Sequence, residues 1–215
     1  VTTCGQRVTD GVLANDLDCT GVDGAAVTVD RSLSLAGYTI TGGEYQDVID
    51  CVGRSNSDTS KGKCSLSGPG TVRAAGSGGD GIRGKQLLVD GVSFENVYYA
   101  VSASTVTVSN SVMTGPFPLA TGGCLVDGKR VAVTGSSISG SAGFGVCGVR
   151  RVVVVNTTVT GNAWDGVTSG GLVELFGSSV IDNALSCVMP FYCGFDPSSA
   201  VRCADVSTTK RVQLD

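Results

Sequence analysis

The chain says nearly the same thing every 21 residues or so. "VAVTGSSISGSAGFGVCG" (from Val131) is followed by "VVVVNTTVTGNAWDGVTSGG" (from Val152) and then by "VELFGSSVIDN" (from Val173). Anchoring each copy on the apolar residue after its small-residue corner gives Ile40, Val72, Phe94, Met113, Ile138, Val159 and Val180, with intervals of 32, 22, 19, 25, 21 and 21. A near-constant period of this length marks a solenoid, whose units bury their apolar faces only by stacking on one another. Before each corner lies a strand with apolar residues two apart: Leu33/Leu35, Cys64/Leu66, Leu87/Val89, Val106/Val108, Val131/Val133, Val152/Val154 and Val173/Leu175. That spacing puts both side chains on one face.

After the anchor comes a turn such as "SGSAGFG" or "TGNAWDG", and Ile82, Val101, Leu125, Val146, Val167 or Val188 completes the coil. Three short strands per coil, each turning an apolar residue inward, describe an all-β parallel β-helix of about eight coils. An antiparallel sandwich is the competing architecture. It would scatter Asp-Gly pairs over alternating hairpins, whereas Asp80-Gly81 and Asp165-Gly166 fall at one phase of the repeat. Composition agrees with short strands and tight corners, with 32 Gly and only five Pro. The expected organisation is a single domain over residues 1–215, with a cap coil at 1–23, an insertion loop at 51–64 and a tail at 195–215.

Nine Cys with no His and no C-x-x-C pair read as disulfides in an oxidising compartment, not as a metal site. The expected pairs are Cys4 with Cys19 and Cys51 with Cys64, each closing a short loop worth about 3 kcal/mol. Cys187, Cys193 and Cys203 are expected to supply a third bridge, and Cys124 and Cys147 are either bridged or buried as small hydrophobes. Asn156-Thr157-Thr158 is a glycosylation sequon at a corner. No window reaches the roughly 18 consecutive apolar residues of a membrane span, and no leader pattern precedes Val1, so a mature soluble chain is expected. A net charge of −4 without a concentrated basic surface argues against nucleic acid.

The phrases "LSLAGYTITG" (from Leu33), "CSLSGPGTVRA" (from Cys64) and "VVVVNTTVTGN" resemble the repeats of the right-handed parallel β-helix superfamily, which includes pectate lyases, alginate epimerases and phage tailspikes. The resemblance spans roughly Val12 to Val201, and "CGQRVTDGVLANDLDC" resembles the disulfide-closed first coil of secreted members. It implies a secreted right-handed β-helix and, in active members, carboxylates and basic residues converging on one outward sheet face. The absence of His excludes the galacturonan-hydrolase variant, which uses paired Asp residues and a His.

On the regular sheets Asp127, Asp165, Glu174 and Asp182 share no column, with Asp127 expected beside Gly148. Glu44, Asp47, Asp50 and Asp58 cluster near the insertion, where a solvated acidic loop is favoured over a calcium site. No metal or cofactor is therefore read from the sequence. The basic residues are better organised. Lys129 and Arg130 should lie one coil from Arg150 and Arg151, with Lys85 in the equivalent place earlier, and two such rungs suit an anion such as a uronate or sulfate. The outward column is read as Ser34, Ser65, Leu88, Thr107, Ala132, Val153 and Glu174, with Thr134, Val155 and Phe176 beside it. Its apolar members, or the solenoid ends, are candidate surfaces for self-association unless turns or the tail cover the column. Two functions follow as expectations: a secreted, non-catalytic extracellular structural or assembly protein, or an anionic-polysaccharide-binding protein or polysaccharide lyase.

Overall fold

In the computed structural model parallel strands stack as a β-solenoid of about seven turns, with no helix among the described residues. These are residues 1–52, 62–76, 78–115 and 123–184, with the backbone of the strands Val188–Tyr192 and Val212–Leu214. No helix among them is long and apolar enough to cross a membrane.

One sheet stacks the short strands Leu17–Asp18, Thr39–Gly42, Thr71–Ala74, Ser93–Glu95, Val112–Thr114, Ser137–Ser139, Thr158–Thr160 and Ser179–Ile181 in chain order. The repeat anchors are its rungs: Ile40 pairs with Val72, Val72 with Phe94, and so on through Met113, Ile138 and Val159 to Val180, all with 0% exposure. Eight such strands enclose seven turns, which accounts for the difference from about eight coils. On the long sheet a second ladder runs Leu33, Leu66, Val89, Val108, Val133, Val154, Leu175. Each fully buried aliphatic contributes on the order of 1.5 to 3 kcal/mol. The first coil sits two residues out of the sequence alignment, because Cys64 bonds to Cys51 and Leu66, not Cys64, stacks on Leu33.

Near the insertion each coil has three separate strands. Val27–Ser34 pairs through its first half with Asp47–Cys51 and through its second with Lys63–Ser67. These continue as Asp80–Arg83 and Gln86–Asp90, and both rejoin on Val101–Ser109. From there the closing strand of one coil and the long strand of the next are continuous, as in Cys124–Thr134, Phe144–Val155 and Val167–Phe176. The disulfide Cys51–Cys64 spans the split at the base of the insertion, with 6.0 Å between Cα atoms.

The long strands turn a corner within their first residues. A flat strand alternates faces, yet Asp80-Gly81-Ile82, Cys124-Leu125-Val126, Gly145-Val146-Cys147 and Asp165-Gly166-Val167 are each buried three in a row. Glycine is required where coils meet at this corner: a Cβ on Gly145 would lie 2.6 Å from the Gly166 carbonyl oxygen. A second bend follows near Gly128 and Gly148, where the register slips between Gly128 and Arg130.

The corner after each long strand is closed by a ladder of buried hydroxyls. The backbone N–H of Ser111 donates to Ser136 Oγ, that of Ser136 to Thr157 Oγ1, and that of Thr157 to Ser178 Oγ, at 3.2 to 3.3 Å. Each hydroxyl in turn donates to the carbonyl two residues back, as Thr157 does to Val155 at 2.9 Å. Asn110, Gly135, Asn156 and Gly177 precede these residues with φ between 47° and 58°, the left-handed turn that asparagine and glycine tolerate best.

At the N-terminal end, Gln6–Val12 is the outermost strand, tied by Cys4–Cys19 and by ion pairs from Arg7 to Asp30 (2.8 Å) and from Arg31 to Asp10. Its exposed Gln6, Arg7, Thr9 and Asp10 put polar and charged groups on that edge, which discourages addition of a further strand. At the other end, Val212–Leu214 pairs with Val167–Phe176 beside Val188–Tyr192, so this part of the tail extends the stack. The remainder of 195–215, with Cys203, and also Cys187, Cys193 and Asp58, lies outside the described residues.

Candidate functional site

The corner of the long sheet brings one four-residue phrase per coil into register: Asp47-Val-Ile-Asp50, Asp80-Gly-Ile-Arg83, Tyr99-Ala-Val-Ser102, Cys124-Leu-Val-Asp127, Phe144-Gly-Val-Cys147 and Asp165-Gly-Val-Thr168. The third residue of each is apolar and buried. The last residues form a column on the outward face: Asp50, Arg83, Ser102, Asp127, Cys147, Thr168.

First and last residues reach each other across the corner. Arg83 Nε lies 3.3 Å from Asp80 Oδ2, and Arg83 Nη1 lies 3.7 Å from Asp47 Oδ1, one coil back. Asp47 and Asp80 are direct rung partners, so two acids do share a column here, and the arginine between them offsets their repulsion. Cys124 and Cys147 are bonded across the same corner from one coil to the next, with Cα atoms 5.9 Å apart.

Beside this column a cleft of about 410 Å³ opens at the second bend, lined by Arg83, Gly84, Ser102, Ala103, Ser104, Asp127, Gly128, Lys129 and Val149. Partial burial raises the Asp127 carboxyl above the usual aspartate range, against the opposing effects of the Ser102 hydroxyl, the Arg83 charge and the Gly128 N–H. Desolvation likewise raises Tyr99, and the nearby Tyr98, Asp127 and Asp80 add to it, so its hydroxyl stays neutral and able to donate. Tyr98 and Tyr99 pack edge to face at 4.8 Å, as Phe144 and Trp164 do at 4.9 Å. No family model, curated protein or solved structure matches this chain. The chemistry of the corner therefore rests on its own geometry.

The basic residues expected to form two rungs gather along the bend. Arg130 is the rung partner of Arg151, and Lys129 lines the cleft. Arg150 stands exposed at the register slip. Arg151 is engaged: its Nε and Nη2 lie 2.7 and 2.6 Å from Glu174 Oε2. Among the described residues none of Lys129, Arg130 and Arg150 has an ion pair. With Lys63, Arg83 and Lys85, seven of the chain's 15 Lys and Arg lie on this stripe. Asp127 pairs with Cys147, one residue from the expected Gly148, because the slip at Gly128 falls after it.

Among the described residues no three His, Cys, Asp or Glu side chains are grouped to hold a metal ion, and Asp47 turns to Arg83; Asp58 lies outside them. The apolar column is less continuous than expected. Ser65, Leu88, Thr107, Ala132, Val153 and Glu174 form one column, while Ser34 belongs to the next with Ser67, Asp90, Ser109, Thr134, Val155 and Phe176. Leu88 is 51% exposed, whereas Ala132 and Val153 are partly buried and line a 120 Å³ depression together with Arg130 and Arg151. Asn156 is exposed at its corner and Thr158 of the sequon is exposed too.

Sequence reasoning missed Asp80, Arg83, Tyr99 and Ser102. The signal was present in the shared D-x-I phrase of Asp47-Val-Ile and Asp80-Gly-Ile, which the insertion displaces from the regular period.

Proposed function

We propose that this chain is an extracellular, non-catalytic protein of the right-handed parallel β-helix type that holds acidic polysaccharide along the bend of its long sheet. The observation that carries the reading is the cleft where Arg83 and Lys129 meet the hydroxyls of Ser102 and Ser104 beside Asp127, continuous with a stripe of cations. Cations recognise carboxylate or sulfate through charge-assisted hydrogen bonds, and hydroxyls recognise sugar hydroxyls. The stacked coils repeat every ~4.8 Å, close to the scale of a sugar unit. Three disulfides support an oxidising, extracellular setting.

A binding role fits the acids better than a lyase role. Asp47 and Asp80 both spend their charge on Arg83, which fixes that side chain and leaves no bare carboxylate pair to hold a divalent cation. The test is calorimetric titration with oligogalacturonate and with a sulfated oligosaccharide. Binding that weakens with salt, and falls at least about fivefold in Lys129→Ala with unchanged melting temperature, is expected. Absence of binding to either ligand overturns the proposal. Release of an unsaturated product from polygalacturonate or alginate would replace the non-catalytic reading with a lyase.

A further inference from the structure

Lys129 and Asp127 stand two residues apart on one strand, and both line the cleft. Arg83, the other cation of the lining, is already matched by Asp80 and Asp47. The charge that an incoming anion meets is therefore decided largely between Lys129 and Asp127. Asp127 is placed to change that charge by a single proton. It is half-buried, its column neighbours are the Ser102 hydroxyl and the non-titrating disulfide at Cys147, and Arg83 lies one rung beyond Ser102.

Resting on the glycan-binding reading, we infer that Asp127 is the proton gate of this cleft. Taking up one proton removes the negative charge beside Lys129, so acidic glycan is bound more tightly as the medium acidifies. A deprotonated Asp127 repels the sulfate or uronate that Lys129 attracts, and a protonated one becomes a hydrogen-bond donor to it. By linkage, the bound anion in turn raises the affinity of Asp127 for its proton.

The Asp127→Asn variant separates Asp127 from the other charged groups around it. The cations there are Arg83, Lys129, Arg130, Arg150 and Arg151. Tyr99 stays neutral. Of the acids, Asp80 and Asp47 lie 3.3 and 3.7 Å from Arg83, and Asp50 lies beyond Arg83 in the column. Burial raises the Asp127 carboxyl above its ordinary value, so it takes up its proton earlier on acidification than an exposed aspartate does.

The probe is a sulfated oligosaccharide, whose charge is constant over the range, titrated calorimetrically from neutrality down into the ordinary carboxylate range. Affinity is expected to rise about three- to tenfold toward the acid end, approaching at most about tenfold per pH unit. Titrations in buffers of different ionisation enthalpy are expected to show net proton uptake on binding. Asp127→Asn, which keeps the Ser102 contact, is expected to bind with a flat pH profile at the affinity of the acid form. Binding without pH dependence or proton uptake, or a profile unchanged in Asp127→Asn, overturns the gate and leaves the binding site standing. No binding at any pH overturns both.

Discussion

Thr157 shows how much of this fold is decided by single polar atoms. Its hydroxyl accepts from the Ser136 N–H and donates to the Val155 carbonyl inside a corner that water does not reach; the residue is 2% exposed. Thr157→Val keeps the volume but strands both partners, and should destabilise the protein by about 1 to 3 kcal/mol. Thr157→Ser should fall close to the parent, with denaturant midpoints as the measurement. Asp127 works in the opposite sense. Its folded-state pKa is raised by desolvation, so the native protein holds a proton that the unfolded chain would release in the window between the ordinary aspartate range and the raised value. Stability associated with Asp127 therefore rises as pH falls through that window. Asp127→Asn should melt at or above the parent temperature near neutrality, and the difference should shrink on acidification. Asp90 provides the contrast: hydrogen bonds from the Ser109 and Asn110 side chains lower its pKa, so what it contributes is lost as pH falls through the depressed value.

At the scale of the element, the long strands are held by stacking, and the disulfides mark where stacking alone leaves a gap. Cys51–Cys64 joins Asp47–Cys51 to Lys63–Ser67, whose counterparts in the coils from Val101 to Phe176 are one continuous strand. Replacing both cysteines by serine should lower stability by about 3 kcal/mol, seen as a drop in melting temperature without loss of the β-sheet circular dichroism of the folded chain. The short strands were legible in the sequence because each carries one anchor between small corner residues. Fusion of the closing and long strands was not, because Gly128, Gly148 and Gly170 read as turns when they are bends within a strand. Cys124 and Cys147, left open in the sequence between a bridge and two buried thiols, are bridged. This bridge closes no compact local loop; its partners meet because one coil lies on the next, across a corner that only the three-dimensional register defines.

For the whole molecule, the solenoid stands or falls with its inward ladders. Val154 is fully buried between Val133 and Leu175, so Val154→Asp places an unpaired charge in that stack and should leave no soluble, cooperatively melting protein. The basic stripe could be read from the regular 21-residue spacing of Arg130 and Arg151, whereas the Asp47–Asp80–Arg83 cluster could not, because the insertion stretches that interval to 33 residues. Arg150→Ala with Arg151→Ala should weaken glycan binding by a moderate factor, with little change in melting temperature, since both side chains are exposed and only Arg151 has an ion pair, to Glu174. An acidic glycan lying along the bend would shield the amides it touches, and hydrogen exchange with and without a sulfated oligosaccharide reads that contact amide by amide. Protection confined to the amides near Arg83, Ser102–Ser104, Asp127–Arg130 and Val149–Arg151 is the predicted footprint, and protection at the short-strand sheet or at the N-terminal coil instead would contradict it.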